Sequence, residues 1–181
     1  MQENVTLMAA PTAYQPGGYV PKAYADAVTP TTPSAVVTSD SIANGFLISI
    51  AWQCPNPVKN ISDEVDTFID AAAILVPTTE YSQIMTMGDT TNPVEGALWR
   101  ADKDTITLVN AEGLGSMQRL PAPPQWGVTA NWQQDMWVVT FELTGWKSLN
   151  HFKKIAIAIW LGERAERGGL KSITPTWVNL A

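Results

Sequence analysis

The sequence predicts an all-β protein, an antiparallel β-sandwich with few short helices. Three observations carry this prediction: short apolar or alternating runs, Pro/Gly/Asn punctuation between them, and no stretch with a convincing amphipathic helical period.

Phe46-Leu47-Ile48-Ser49-Ile50-Ala51-Trp52 is a compact apolar run closed by Pro55, Asn56 and Pro57, which reads as a strand. Phe68 to Val76 follows and is ended by Pro77; its alanines would tolerate a helix, but short length and the proline favour a buried strand. Thr105 to Val109 alternates, and Trp137 to Leu143 is strand-like in its β-branched and aromatic content. Lys154 to Leu161 places its isoleucines on one face and its alanines with Trp160 on the other, so both faces are apolar and a central strand is expected. Pro121-Ala122-Pro123-Pro124 lacks ladder donors and reads as a loop.

Residues 1 to 36 differ in character. Pro11, Pro16, Gly17, Gly18, Pro21, Pro30 and Pro33 are spaced too closely for a helix or a central strand. This stretch is expected to be an extended N-terminal arm, ordered against a partner subunit or simply disordered, ahead of a sandwich domain over residues 37 to 181.

The net charge of -6 argues against nucleic acid and anionic membrane as partners. Positive charge nevertheless gathers near the C-terminus in Lys147, Lys153, Lys154, Arg164, Arg167 and Lys171, either a solvated face or a surface for an acidic partner or cofactor carboxylates. No apolar stretch reaches the length of a membrane span. No signal peptide is read in Met1 to Val5, which leaves cytoplasm and periplasm both open.

Few residues offer catalytic chemistry. Cys54 is the single cysteine, which excludes an intramolecular disulfide, a C-x-x-C zinc site and covalent C-x-x-C-H heme attachment. Any catalytic triad would have to be built on the single histidine, His151, which sits beside Phe152 and reads as a surface or strand-end residue. Gly113 and Gly115 do not follow the dinucleotide fingerprint. Asp63, Glu64, Asp66 and Asp70 cluster in sequence, as paired acid/base carboxylates would, or as a polar loop leading into a strand. Eight tryptophans suit a sandwich core, a planar macrocycle or a sugar platform, the last a role open to Trp126 and Trp132 in a carbohydrate-binding module.

The run from Lys154 through Trp160-Leu161-Gly162 and Glu166-Arg167-Gly168-Gly169-Leu170-Lys171-Ser172 to Trp177 resembles the end of the ethylbenzene dehydrogenase-type heme-binding γ subunits. These belong to molybdoenzymes of the type II DMSO reductase family. Their apolar strand ends in Trp-Asp-Gly, and a Glu-Arg-Gly-Gly-x-Lys-Ser turn leads to a last tryptophan-bearing strand. Leu161 stands where Asp is usual. Phe68 to Pro77, the segment Met85-Thr86-Met87-Gly88 with Asn92-Pro93-Val94 and Trp99, and Ala111 to Ser116 are similar to that family in the same order.

The resemblance implies a sandwich with one heme b between its sheets, its iron held by Met87 and Lys171. Without it, Met87 reads as a gap-filling core residue and Lys171 as a solvated loop charge. Met85, which would share a face with Met87 in an extended strand, and Met117 stay open as alternatives. The family further implies a non-catalytic electron-transfer subunit in the periplasm. It would relay electrons between an iron–sulfur subunit and an external carrier, beside a molybdenum catalytic subunit. A scaffold subunit that has lost its heme is a third reading.

Overall fold

Strict alternation in two neighbouring strands builds one side of the molecule. A computed structural model describes residues 1–11, 28–60 and 67–180. In β4 (Gly45–Gln53), Phe46, Ile48, Ile50 and Trp52 are buried; in β10 (Met136–Thr144), Trp137, Val139, Phe141 and Leu143 are buried while Val138 and Glu142 face solvent. The two pair antiparallel, with Trp137 opposite Trp52 and Phe141 opposite Ile48. With β1 (Gln2–Thr6), β3 (Ser34–Ile42) and β9 (Gly127–Gln133) they form a five-stranded sheet in the order β1-β3-β4-β10-β9. One face is apolar and the other is open to water.

The second sheet is built around two strands buried on both faces, β5 (Ala71–Pro77) and β11 (Lys154–Trp160). Around them lie β6 (Val94–Arg100), β7 (Ile106–Ala111), β8 (Gln118–Pro121), β12 (Ser172–Ile173) and β2 (Met8–Ala9), in the order β2-β12-β11-β5-β6-β7-β8. β13 (Val178–Asn179) pairs with the start of β11. The central position expected for the Ile/Ala run is therefore found. Helix is confined, among the described residues, to α1 (Lys147–Phe152) and a 3-10 turn at Gly162–Arg164.

The sheets pack face to face. Ala72, Ile74, Val76, Trp99, Ile155, Ile157 and Ile159 from the second sheet meet the apolar face of the first. Trp52, Trp99 and Trp137 fill the middle, with ring centroids 5.1 to 6.4 Å apart, and such aromatic pairs add about 0.5–1.5 kcal/mol each beyond area burial. The all-β sandwich is as expected. The place implied for a heme, between the sheets, is instead taken by this close-packed core of fully buried side chains.

Two further readings are corrected. Residues 2–9, read as arm, are paired strands: β1 pairs with β3 in one sheet and β2 with β12 in the other. Val5, Leu7 and Ala10 are buried, and the Leu7 amide donates to the Pro33 carbonyl at 2.9 Å. Pro16, Gly17, Gly18 and Pro21 lie outside the described residues. Met85 and Met87 do not share a strand, because residues 84–87 form a turn.

Asp70 ties the elements together from a fully buried position. Its Oδ2 accepts from the Val58 amide at 2.9 Å and the Trp137 indole at 3.0 Å, and its Oδ1 accepts from the Gly162 amide at 2.7 Å. The Cys54 thiol donates to the same carboxylate at 3.4 Å, and burial beside that charge pushes the thiol up to about 12. Asp70 and Cys54 are thus structural. Asp63, Glu64 and Asp66 lie outside the described residues.

Candidate functional site

The outer face of the second sheet carries a cavity of about 640 Å³, within the span of roughly 300–1,000 Å³ usual for cofactor and ligand sites. Its floor follows from period-two alternation. Residues of β5 and β11 that point away from the core are Ala71, Ala73, Ala156 and Ala158, with Ala73 directly opposite Ala158. Short side chains on adjacent strands leave a flat apolar surface. Leu75, Leu98 and Val109 continue it across β6 and β7.

The roof is the turn between β5 and β6. Ser82 Oγ and Thr78 Oγ1 both donate to the Pro93 carbonyl at 2.7 Å, and Asp89 Oδ1 accepts from the Thr91 and Asn92 amides at 2.8 Å. The Asn92 amide, first among these donors, holds the exposed Asp89 carboxyl below its usual range. Within this brace the Gly88 amide donates to the Gln83 carbonyl at 2.9 Å and the Met87 amide to that of Ile84 at 3.0 Å. This is the Schellman pattern, with Met87 at the left-handed position glycine usually takes. Its φ is 57°, which costs a non-glycine residue about 1 kcal/mol. Gly88 is required next to it, because a β-carbon there would lie 2.6 Å from the Asn92 carbonyl oxygen.

Met87 is further fixed by the Gly113 amide, which donates to its carbonyl at 3.0 Å. The side chain packs with Leu75, Val94, Ala111 and Ala156. Met85 leans on Ala73, Ala158 and Ile173, and Met117 is 42% exposed at the rim. All three methionines line the cavity.

Lys171 enters from the opposite end of the sequence. The Glu166-Arg167-Gly168-Gly169 turn, with Gly168 at φ 54°, delivers it just before β12. Its carbonyl accepts the Ala10 amide at 2.9 Å, and the next residue, Ser172, accepts the Thr32 amide on Oγ at 3.1 Å. The amine lines the cavity, with Trp160 beneath it at 5.0 Å from nitrogen to ring centroid. Among the described residues no carboxylate pairs with it. Burial pushes the amine down from 10.5 to about 8, so the neutral, lone-pair-bearing form is accessible near neutral pH.

Glu166 is also part of the cavity wall. It accepts from the Leu161 amide at 2.7 Å and the Thr31 hydroxyl at 2.5 Å, and burial pushes its carboxyl up to about 7. Leu161 is buried at the head of the 3-10 turn, so the turn forms without the usual Asp.

The structure thus brings Met87 and Lys171 to one cavity. His151 is exposed at the end of α1, stacked edge-on against Phe152, and does not line that cavity. Trp126 and Trp132 are half-buried, with their indole N–H groups donated to the Thr144 and Cys54 carbonyls at 3.0 and 2.8 Å. Neither stands free as a sugar platform. Of the C-terminal cations, Lys154 pairs with Glu80, Arg164 with Glu163, and Arg167 lies over the Phe68 ring. Among the described residues no group of three His, Cys, Asp or Glu side chains could hold a metal ion, and no helix is long and apolar enough to cross a membrane.

No family model matches the chain. Individual proteins do. Over 152 residues it is 29% identical to the gamma subunit of chlorate reductase from Ideonella dechloratans, covering 76% of this chain and 61% of that protein. It is 29% identical over 146 residues to the gamma subunit of dimethylsulfide dehydrogenase from Rhodovulum sulfidophilum, covering 74% and 54%. It is 31% identical over 136 residues to a protein described as a respiratory nitrate reductase heme subunit from Haloferax mediterranei, covering 70% and 48%. The chain spans about half to three-fifths of the length of these relatives. At about 30% identity, the chain is similar to the gamma subunits of chlorate reductase and dimethylsulfide dehydrogenase and to the heme subunit described for a respiratory nitrate reductase.

Proposed function

We propose that this chain is a heme b electron-transfer subunit of a multi-subunit molybdenum oxidoreductase, with no catalysis of its own. It relays electrons between an iron–sulfur subunit and an external carrier, beside a molybdenum catalytic subunit, in the periplasm. The observation that carries the reading is the cavity itself: an alanine floor flat enough for a macrocycle, with the Met87 thioether and a Lys171 amine that pairs with no carboxylate among the described residues both on its walls.

Bound heme supplies one-electron redox chemistry through its iron. Lys171 gives a nitrogen lone pair once neutral, and its burial lowers the cost of losing that proton. Met87 gives a soft sulfur that favours ferrous iron and raises the potential. Its backbone, bonded to Ile84 on one side and Gly113 on the other, holds the thioether in place better than the exposed rim would hold Met117. With both residues as ligands, the iron would have no site open to oxygen or substrate, which suits a relay. Cys54, buried and bonded to Asp70, is not available for a thioether link.

The test is hemin titration of the purified protein. A Soret band saturating near one heme per chain, with the heme extracted into acidified organic solvent, is the expected result. Absence of any Soret band at excess hemin would sink the reading.

A further inference from the structure

We propose that Trp160 is the residue that aims Lys171 into the cavity, a positioning role that rests on the reading of Lys171 as an iron ligand. Trp160 is the last residue of β11, opposite Ala71, and its ring forms part of the cavity wall. Two separate contacts tie it to Lys171. Its indole N–H donates to the Gly168 carbonyl at 3.0 Å, which fixes the turn that carries the lysine. Its ring lies 5.0 Å from the lysine nitrogen, centroid to Nζ.

The kind of partner matters. A carboxylate would hold the amine protonated and take the nitrogen's hydrogens in fixed directions. A π face holds a protonated amine far less firmly than a carboxylate does and takes no hydrogen in a fixed direction. Once the amine is neutral, the ring packs against the side chain without using its lone pair. The nearest acid in the turn, Glu166, has its oxygens engaged by the Leu161 amide and the Thr31 hydroxyl. Trp160 therefore guides the lysine without competing with iron for it.

The experiment uses the full heme-loaded chain and compares Trp160→Leu and Trp160→Phe, each alone and combined with Lys171→Met. Low-spin absorption and heme transfer to an excess of a heme-scavenging protein are followed. Trp160→Leu alone should introduce a high-spin fraction and release heme roughly fivefold to tenfold faster, the scale of one lost indole hydrogen bond to the turn. Trp160→Phe, which keeps a ring but not the N–H, should stay low-spin with intermediate release. In the Lys171→Met background neither change should alter release by more than about twofold. Equal acceleration in both backgrounds would reduce Trp160 to a wall and overturn the proposal. A Lys171→Met spectrum identical to the parent's would instead overturn the ligand reading beneath it. If Trp160→Leu does not fold, Trp160→Phe in the two backgrounds decides the same question.

Discussion

The Asp70 carboxylate and the Gly162 amide meet at 2.7 Å, joining the entry to β5 to the turn that follows β11. Gly162 is there because nothing larger fits: a β-carbon would lie 1.6 Å from the Phe68 carbonyl oxygen. Asp70→Ala leaves the Val58, Trp137 and Gly162 donors without their acceptor and should cost about 3–5 kcal/mol. Gly162→Ala should cost at least about 2 kcal/mol through forced backbone movement. Urea midpoints that stay unchanged would refute both.

The ligand assignment makes contrasting predictions for four side chains. Lys171→Ala should alter the low-spin spectrum and shift the midpoint potential, since axial identity is a principal control on it. Met87→Ala should give a high-spin or heme-deficient protein. Met85→Ala and Met117→Ala should keep a low-spin heme with at most a modest shift. Conversion by Met85→Ala alone would move the sulfur ligand two residues along the turn.

Met87 sits at φ 57°, where glycine is at ease and alanine is not. In the heme-free protein, Met87→Gly should therefore be more stable than Met87→Ala by about 1 kcal/mol. Both should fail to give low-spin heme. Stability retained while ligation is lost would mark the strained backbone as a feature of the site, not of the fold.

Removing residues 1–11 deletes β1, β2 and part of the cavity wall at Ala10 and Pro11. Burial of Val5 and Leu7 is worth about 1.5–3 kcal/mol for each side chain. The truncated chain should unfold at lower urea and release heme faster than the parent. Unchanged heme retention would show that β12 holds Lys171 without its neighbour.

Glu166 predicts a pH dependence of stability. A carboxyl raised from 4.5 to about 7 on folding binds its proton more tightly in the folded chain. Its contribution is complete below about 4.5 and is lost as pH rises through about 7, by at most about 3 kcal/mol. Urea midpoints should fall across that window, and Glu166→Gln should flatten the fall. A midpoint that rises instead would contradict the burial argument.

How much of this was legible depended on how strongly each segment declares one environment. β4, β10 and β11 declare it fully, through alternation or two apolar faces, and were read close to their observed bounds. β8 and β9 are mostly exposed edge strands whose pairing is supplied by neighbours, so their own residues carry little pattern. β1 and β2 are short and take their order from β3 and β12. The alanines of β5 looked merely tolerant of helix, yet their smallness makes the cavity floor. Which face of a doubly apolar strand meets the core cannot be read from that strand alone, and the space between the sheets is filled here by core side chains while the cavity opens on the other face. Trp160 and Glu166 lay inside the matched motif, but their partners Lys171, Gly168 and Thr31 became visible only with the turn folded.

The cavity draws on Ala10, just after β2, and on Lys171 and Ile173 at β12. During synthesis the early residues emerge long before the late ones, and the Ala10 amide waits for the Lys171 carbonyl that will receive it. The wall therefore closes only after residue 173 has cleared the ribosome. A cofactor seated in this cavity would then load only after β12 has been made, and its supply would bear on the finished holoprotein and not on the early steps of folding.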